Sequence, residues 1–304
     1  MNFRQLRIIR ETVRSNYNLT EVANRLLTAQ SGVSKHVKDL EEEIGVELFV
    51  RRGKRLLGLT DAGKEAVEII ERMLIDAQNL TQIGSGNADK GRGTLRIVTT
   101  HTQARYTLPP VIAKFKQAFP DVRFAINQAS PRDIAAILLE GDTDIGIATD
   151  TMDGIPGLAT FPYYTWRHAV VVPAGHPLGR IHKPTLKDIS RWPLVTYDDG
   201  LTGRSRIDAT FAAAGLEPEV AIAALDADVI KSYVEQGLGV GIIAEVAFDP
   251  DQDRTLTRID GAQLFPASTS SIGVRRGRYL RPYVYRFLEF CSPTLTEASL
   301  REAV

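Results

Sequence analysis

The sequence predicts a mixed α + α/β protein built in three parts. Residues 18–45 have the pattern of two short helices joined by a tight turn, and residues 60–83 have the pattern of one long helix. From Thr94 onward, β-branched segments alternate with amphipathic ones, which is typical of an α/β sheet. We therefore expect an N-terminal domain over 1–59, a linker helix and hinge over 60–89, and a C-terminal domain over 90–304.

The first helix of the 18–45 segment is expected to begin at Asn18, with Glu21 completing a capping box. Thr28 is the predicted N-cap of the second helix, and Gly45 suits the left-handed position that ends it. Spacings of four, three and four predict one buried stripe in that helix, formed by Val33, Val37, Leu40 and Ile44.

The opposite face of the second helix carries amides, hydroxyls and lysines. These groups hydrogen-bond base edges and neutralise phosphates, which suits the major groove of double-stranded DNA. A helical hairpin with an ordinary solvated face explains the same residues equally well. The candidate DNA contacts on this helix are Gln30, Ser31, Ser34, Lys35 and Lys38.

The segments that flank the helix pair favour the DNA-binding interpretation. Phe3, Leu6, Ile9 and Val13 predict a third helix, and residues 46–60 predict a β-hairpin with a basic tip. Residues 1–59 contain 11 Lys+Arg and 7 Asp+Glu, so they carry +4, while residues 60–304 carry −4. A basic head is the charge distribution expected of a DNA-binding module. The candidate contacts on the hairpin are Arg51, Arg52 and Lys54.

The N-terminal pattern LTEVANRLLTAQSGVSKHVKDLEEEIGVELFVRRGKRLLGLTDAG resembles the winged helix-turn-helix of LysR-type transcriptional regulators. Further along, TTHTQARYTLPPVI, WPLVTY and GLTGRS resemble the CysB branch, regulators of sulfur assimilation and cysteine synthesis. The resemblance implies a two-lobed effector domain similar to periplasmic binding proteins. It also implies a cytoplasmic homodimer or homotetramer that binds promoter DNA, with RNA polymerase as a further partner.

The predicted linker helix has a narrow apolar seam, formed by Ala66, Ile70, Met73, Ala77 and Leu80 at alternating steps of four and three. Such a seam favours a partner helix, and the alternative is packing on the helix's own domain. Either Thr60 or Asp61 can cap the helix. In the resembled family this helix pairs with its mate in a dimer.

The C-terminal domain is predicted to contain two lobes, over about 90–163 with 268–304 and over about 164–267. In open α/β sheets, ligands bind beyond the carboxyl ends of strands, where helix N-termini point. Residues 99–103 and 200–205 follow strands and precede helices, and Thr149 ends another strand. Together they can hold a small anion with neutral donors.

Capping alone also explains these residues, since Thr100-x-x-Gln103 is itself a capping box and Thr202 can cap the next helix. The resemblance favours the ligand site instead. It implies that the effector, an acetylserine, sulfate or a related sulfur metabolite, contacts Thr100, Thr102, Gln103, Thr149 and Thr202. Tyr164 and Trp166 either lie around the same cleft or pack at the hinge, and Asp226 and Asp228 are expected to cap a helix.

No catalytic residue, cofactor or metal site is predicted. The glycines of 237–241 lie before and within a strand, so they do not form a dinucleotide-binding turn. The five histidines lack ligand spacing, and Ser205 has no identifiable partner of a catalytic triad. Cys291 is the only cysteine and is expected to fill space on a late helix. We expect no signal peptide and no membrane span.

Two alternatives to a cysteine-synthesis regulator remain at this point. A regulator of alkanesulfonate or taurine use from the same family would have the same organisation. A small-anion binding protein would share the two-lobed domain, but the basic head would then have no explanation.

Overall fold

The computed structural model describes residues 1–53, 55–86, 91–259 and 263–304. The chain divides into two compact units. The N-terminal unit comprises Met1–Ala88 with Gly277–Tyr279, and the C-terminal unit comprises Asp89–Arg276 with Leu280–Val304. No helix in the described ranges is long and apolar enough to cross a membrane.

The N-terminal unit contains three short helices, a hairpin and one long helix. These are α1 (Phe3–Arg14), α2 (Leu19–Arg25), α3 (Gln30–Ile44), β1 (Phe49–Arg52), β2 (Arg55–Leu59) and α4 (Asp61–Gly86). The antiparallel β1–β2 hairpin is the wing, so the predicted winged helix-turn-helix is confirmed.

Of the three caps predicted for α2 and α3, two are right and one is wrong. The Asn18 side chain accepts the N–H groups of Thr20 and Glu21, and Gly45 ends α3 at φ 74°. Thr28 does not cap α3, because Leu27 turns the chain with a φ of 49° and the helix begins two residues after Thr28. The Thr28 hydroxyl instead accepts a hydrogen bond from Arg4 at 3.3 Å.

The core of the N-terminal unit is formed by the middles of the three short helices with β1 and the first half of α4. Leu6, Val33 and Leu40 are fully buried, as their spacing predicts. Phe3 and Ile44 were expected in the core but are exposed. They are the first residue of α1 and the last of α3, so each projects past the surface that its helix buries.

Helix α4 changes its environment along its length. Ile70 and Leu74 are buried in the core of the helix's own unit, where Met73 also packs. Leu80 and Ile83, further along, are exposed. The first half of the apolar seam therefore stabilises the helix's own unit, and only the second half is open to a partner.

The C-terminal unit contains two five-stranded sheets with helices on their faces, which confirms the predicted α/β class. The strands of the first sheet are β3 (Gly93–Thr99), β4 (Val122–Gln128), β5 (Ile145–Thr149), β6 (Leu158–Trp166) and β12 (Ser268–Arg275), in the order β4-β3-β5-β12-β6. The strands of the second are β7 (His168–Pro173), β8 (Leu194–Tyr197), β9 (Val220–Ala224), β10 (Val240–Ala244) and β11 (Leu256–Ile259), in the order β11-β7-β10-β8-β9.

Helices connect and cover the strands of these sheets. They are a π-helical turn (Gln103–Thr107), α5 (Leu108–Ala118), α6 (Pro131–Glu140), α7 (Leu186–Ile189), α8 (Thr202–Ala213), α9 (Ala227–Glu235), α10 (Pro282–Cys291) and α11 (Glu297–Ala303). The chain enters the second sheet at Arg167, between β6 and β7, and is back in the first sheet at Ser268. Strand β6, the edge strand that pairs with β12, was not recognised in the sequence.

Two sequence features that suggested other chemistry have structural roles. A Cβ on Gly239 would lie 2.4 Å from the carbonyl oxygen of Pro193, and one on Gly241 would lie 2.5 Å from Val171. These glycines therefore allow close packing of strands. Cys291 is packed beside the core of the first sheet, where burial raises the pKa of its thiol to about 12.

Candidate functional site

The polar face of α3 lies opposite its buried stripe. Gln30, Ser31, Lys35 and Lys38 are exposed, and Ser34 is half-buried. Lys38 pairs with Glu42 at 3.2 Å, whereas Lys35 has no carboxylate partner among the described residues. The face therefore presents amide, hydroxyl and ammonium donors to solvent.

The wing is fixed to α3 by one buried carboxylate. Glu41 is 7% exposed, and its Oε1 accepts the backbone N–H groups of Leu48 at 2.8 Å and Phe49 at 3.2 Å. Its Oε2 accepts a hydrogen bond from Arg51. Arg51 is thus held against the domain, while Arg52 is exposed and has no ion pair within the described residues. Lys54 lies outside the described residues.

A cavity of about 390 Å³ opens in the C-terminal unit at the carboxyl ends of strands from both sheets. Strands β3, β4 and β5 end beside it, as do β8 and β9. Residues at the starts of α6, α8 and α9 also line it. The lining residues are Thr100, His101, Thr102, Gln103, Gln128, Ala129, Ser130, Pro131, Thr149, Trp166, Tyr197, Leu201, Gly203, Leu225, Asp226 and Ala244.

The chemistry of this cavity is that of neutral hydrogen-bond donors. Within the described ranges, neither lysine nor arginine lines it. Three helices of nine to twelve residues begin at its wall, so their positive dipole ends favour an anion there. Among the described residues, Asp226 is the one carboxylate in the lining; it accepts the N–H of Val229 at 2.9 Å and caps α9, as predicted.

The capping interpretation of Thr100 and Gln103 is wrong. The chain enters a π-helical turn at this point, and Thr102, at its N-cap, makes no side-chain cap hydrogen bond. Gln103 is 2% exposed, and its side chain points inward rather than back along the helix. Its Oε1 accepts hydrogen bonds from Tyr164 at 2.8 Å and from Thr107 at 2.9 Å. Thr100 and Thr102 remain on the cavity wall.

The two aromatic candidates occupy different positions. Trp166 lines the cavity at the end of β6 and donates its indole N–H to Thr149 and Ser270. Tyr164, a candidate effector contact, is not among the described lining residues; it contacts Gln103 from behind, which agrees with the alternative role, packing at the hinge. Burial raises the pKa of Tyr164, so its hydroxyl stays protonated and donates.

One predicted position remains to be placed, and one further position was not predicted. Helix α8 begins at Thr202, but its N-cap is Leu201, which makes no side-chain cap hydrogen bond. The side chain of Thr202 lies outside the described residues, although its neighbours Leu201 and Gly203 line the cavity. Ser270 was missed. It is fully buried and contacts three of the cavity's side chains, and the only signal was a run of serines entering a buried strand.

Asp228 does not cap α9 with its side chain, contrary to expectation. Its carboxylate accepts hydrogen bonds from Tyr106 at 2.5 Å and His101 at 3.1 Å, and Arg105 lies 3.6 Å away. Partial burial raises the pKa of this carboxyl, but the hydrogen bonds from Tyr106 and His101 outweigh burial and lower it. The contact joins the π-helical turn to α9.

The same contact brings a histidine and two carboxylates together. Ligand atoms of His101, Asp226 and Asp228 lie within 4.8 Å of one another, a grouping that sequence spacing did not reveal. Each side chain already has protein partners: Asp226 caps α9, and His101 hydrogen-bonds Gln128 and Asp228. The cluster is therefore explained by contacts within the protein.

His168 is a buried group next to the cavity wall. It is 1% exposed, and neither ring nitrogen has a hydrogen-bond partner among the described residues. Its ring packs against Trp166 and Phe265. Burial, with a smaller contribution from the charge of Arg206, lowers its pKa to about 4. His168 is therefore neutral at pH 7.

Comparison with known families matches both units. Residues 3–64 match the model of the bacterial regulatory helix-turn-helix protein, lysR family, and residues 88–296 match the LysR substrate binding domain. Three similar proteins are the transcriptional regulators SsuR of Burkholderia cenocepacia (53% identical), Cbl of Escherichia coli (48%) and CysB of Burkholderia cenocepacia (45%). Each alignment covers the whole of this chain and 100%, 96% and 97% of the relative, respectively.

Solved structures agree. The cofactor-binding domain of the Cbl regulator is 46% identical, with a TM-score of 0.66 over 70% of this chain and 93% of that one. Full-length OxyR C199D from Pseudomonas aeruginosa has a TM-score of 0.63 over 98% of both chains. At 21% identity, the second likeness concerns the fold alone.

Proposed function

Because the chain belongs to the LysR family of bacterial transcriptional regulators, we propose that it controls sulfur-assimilation genes in response to a small oxyanion-bearing effector. The α3 face and the wing bind double-stranded promoter DNA. The cavity of the C-terminal unit binds the effector, which is sulfate, an acetylserine or a related sulfur metabolite. The family consists of regulators, and this chain is not an enzyme.

The DNA-binding half of the proposal is supported by the exposed side chains of α3. Gln30 and Ser34 carry groups that hydrogen-bond base edges, and Lys35 and Arg52 carry charges that neutralise phosphates. Arg51 forms an ion pair with Glu41, so its main role is to hold the wing against α3 rather than to contact DNA. The charge of +4 on residues 1–59 agrees with this assignment.

The effector half rests chiefly on one observation. A cavity of about 390 Å³ is lined by hydroxyls, two amides, His101 and three helix N-termini, and by no lysine or arginine among the described residues. Such a wall binds an anion through hydrogen bonds and helix dipoles, without the ion pairs to lysine or arginine that a highly charged ligand would require. A sulfate, a sulfonate or a small carboxylate has the acceptors that these donors require.

The similarity to SsuR, Cbl and CysB over the full chain supports sulfur metabolism as the regulated process. Control of cysteine synthesis and control of alkanesulfonate or taurine use are both consistent with the cavity, because their effectors share an oxyanion. Identification of the effector that binds would distinguish control of cysteine synthesis from control of alkanesulfonate or taurine use.

Assembly is proposed from the exposed half of α4. Leu80 and Ile83 leave an apolar surface on a helix whose first half is already packed. Pairing of this surface gives a homodimer, and two dimers give a homotetramer on DNA. We also propose a cytoplasmic location and contact with RNA polymerase, since both follow from regulation at bacterial promoters.

Thermal denaturation of the full chain tests the effector assignment. A ligand that binds only the folded state raises the melting temperature by mass action. The panel contains sulfate, thiosulfate, O-acetylserine, N-acetylserine, adenosine phosphosulfate and taurine. A shift with an acetylserine supports cysteine control, and a shift with adenosine phosphosulfate or taurine alone supports the alternative. No shift with any of these ligands contradicts the effector half.

A further inference from the structure

A hydrogen-bond network lies behind the cavity, at the point where the chain crosses between the two sheets. We call Gln103, Thr149, Trp166 and Ser270 the crossover network. The Ser270 hydroxyl oxygen lies 3.1 Å from Gln103 Nε2, 3.2 Å from Trp166 Nε1 and 2.9 Å from Thr149 Oγ1. Ser270 thus contacts three cavity-lining side chains, each from a different element.

The chemistry of these groups determines the direction of each hydrogen bond. An indole N–H can only donate, so Trp166 donates to Ser270. Gln103 Oε1 already accepts from Tyr164 and Thr107, so its amide N–H₂ is the group that faces Ser270. With the Gln103 and Trp166 N–H groups directed at its oxygen, the Ser270 hydroxyl has its own hydrogen available for Thr149, whose oxygen also faces the Trp166 indole N–H.

The strands hold Ser270 at this position. It is directly opposite Thr149 in the β12–β5 pair and opposite Tyr164 in the β12–β6 pair. The register with β6 shifts between Ser270 and Ser271 because Tyr163 is an extra residue in β6, whereas the register with β5 is continuous and keeps Ser270 opposite Thr149. Ser270 is fully buried, so no group from the solvent side can take the place of its hydroxyl.

We propose that Ser270 is a positioning residue for effector binding, an inference that rests on the proposed function of the cavity. Its hydroxyl orients Gln103, Trp166 and Thr149 together. Without it, the buried Gln103 amide N–H loses this acceptor and the Trp166 indole N–H keeps only the longer contact to Thr149, so both side chains gain by turning toward another oxygen. The donors on the cavity wall then no longer match the ligand, although Ser270 itself does not line the cavity.

The first test reads the network directly and requires no ligand. The chain has two tryptophans, Trp166 and Trp192, so ¹⁵N-labelled protein gives two indole signals. The variant Ser270→Ala should move the Trp166 indole signal and leave that of Trp192 in place. Ser271→Ala is the matched control, because side chains alternate along a strand and Ser271 projects from the opposite face of β12. An unmoved Trp166 signal in Ser270→Ala overturns the proposal.

The second test measures binding of sulfate and N-acetylserine to the folded full chain by titration calorimetry. Ser270→Ala should bind about tenfold more weakly than wild type, the equivalent of losing one net hydrogen bond, while Ser271→Ala binds as wild type does. Equal losses in the two variants, or no loss in Ser270→Ala, contradict the positioning role. If wild type binds neither these probes nor any other ligand of the thermal-denaturation panel, the proposed effector function fails, whereas the Trp166 signal separately shows whether Ser270 holds the network.

A double-mutant cycle with Thr149→Val distinguishes positioning from general loosening. If Ser270 acts through Thr149, the double variant loses less affinity than the product of the two single losses. A product of independent losses, within error, shows that Ser270 does not act through Thr149 and contradicts the joint orientation of the network.

Discussion

Removal of the Glu41 carboxylate should detach the wing from α3. In Glu41→Ala the buried N–H groups of Leu48 and Phe49 both lose their acceptor, and Arg51 loses its partner. A stranded buried donor costs about 1–3 kcal/mol, and Arg51 adds little because it is partly exposed. We therefore expect the N-terminal unit to lose about 3–5 kcal/mol of its free energy of unfolding.

The variant Glu41→Gln keeps an oxygen acceptor in the same place and removes only the charge, so it should cost about 1 kcal/mol. Glu42→Ala is the control, since Glu42 is exposed and its pair with Lys38 contributes within about 0.5 kcal/mol. Both tryptophans belong to the C-terminal unit, so their fluorescence does not report on the wing. Hydrogen exchange at the Leu48 and Phe49 amides does.

The expected order of exchange protection is wild type, then Glu41→Gln, then Glu41→Ala, with Glu42→Ala equal to wild type. DNA affinity should fall in the same order, because the wing is positioned through this carboxylate. Unchanged protection of the Leu48 and Phe49 amides in Glu41→Ala would refute the reasoning.

Three further predictions concern DNA recognition, pH and assembly. Lys35→Ala and Arg52→Ala should each weaken binding to all DNA sequences and reduce the salt slope of the affinity by about 1, whereas Gln30→Ala should relax base preference. Gel-shift assays at several salt concentrations measure both effects. The opposite pattern would show that the phosphate contacts and the base contacts are misassigned. Burial lowers the pKa of His168 from 6.5 to about 4, so between these two pH values the unfolded chain binds a proton that the folded chain does not. The free energy of unfolding should therefore be unaffected by this group above pH 6.5 and fall by on the order of 3 kcal/mol as the pH falls from 6.5 to 4. His168→Phe should abolish this part of the pH dependence of unfolding. Leu80→Glu should lower the oligomeric state in analytical ultracentrifugation, and an unchanged mass would exclude the exposed half of α4 from the interface.

Features set by local periodicity could be read from the sequence. The stripe containing Val33, Val37 and Leu40 predicts α3 correctly, because one buried face per helix leaves a regular apolar spacing. Gly45 predicts the end of α3, because few other residues adopt a positive φ at low cost. The resemblance to LysR-type regulators extended this local information to the whole fold.

Features set by long-range contacts could not be read. Thr100 and Gln103 match a capping box, yet Gln103 turns inward because Tyr164 and Ser270, distant in sequence, supply better partners. Asp228 resembles a capping residue but reaches across to Tyr106. A capping motif takes account only of the four residues that form it, whereas the hydrogen-bond partners of these side chains come from strands and helices far along the chain.

The exposure of Phe3 and Ile44 shows a smaller limit of the same kind. Spacing assigns both to an apolar stripe, but the stripe does not reveal where the neighbouring helices end. Residues in the first and last turns are therefore the least certain members of a predicted core.

The central claim is that one chain binds DNA through α3 and the wing and senses an effector in the C-terminal cavity. The most direct test measures the affinity of wild type and Thr100→Val for a duplex that wild type selects from a random-sequence pool, with and without the ligand found by thermal shift. We predict that the ligand changes the DNA affinity of wild type, and that Thr100→Val binds the same duplex equally well but no longer responds. An equal response in both proteins would contradict the assignment of the cavity as the effector site.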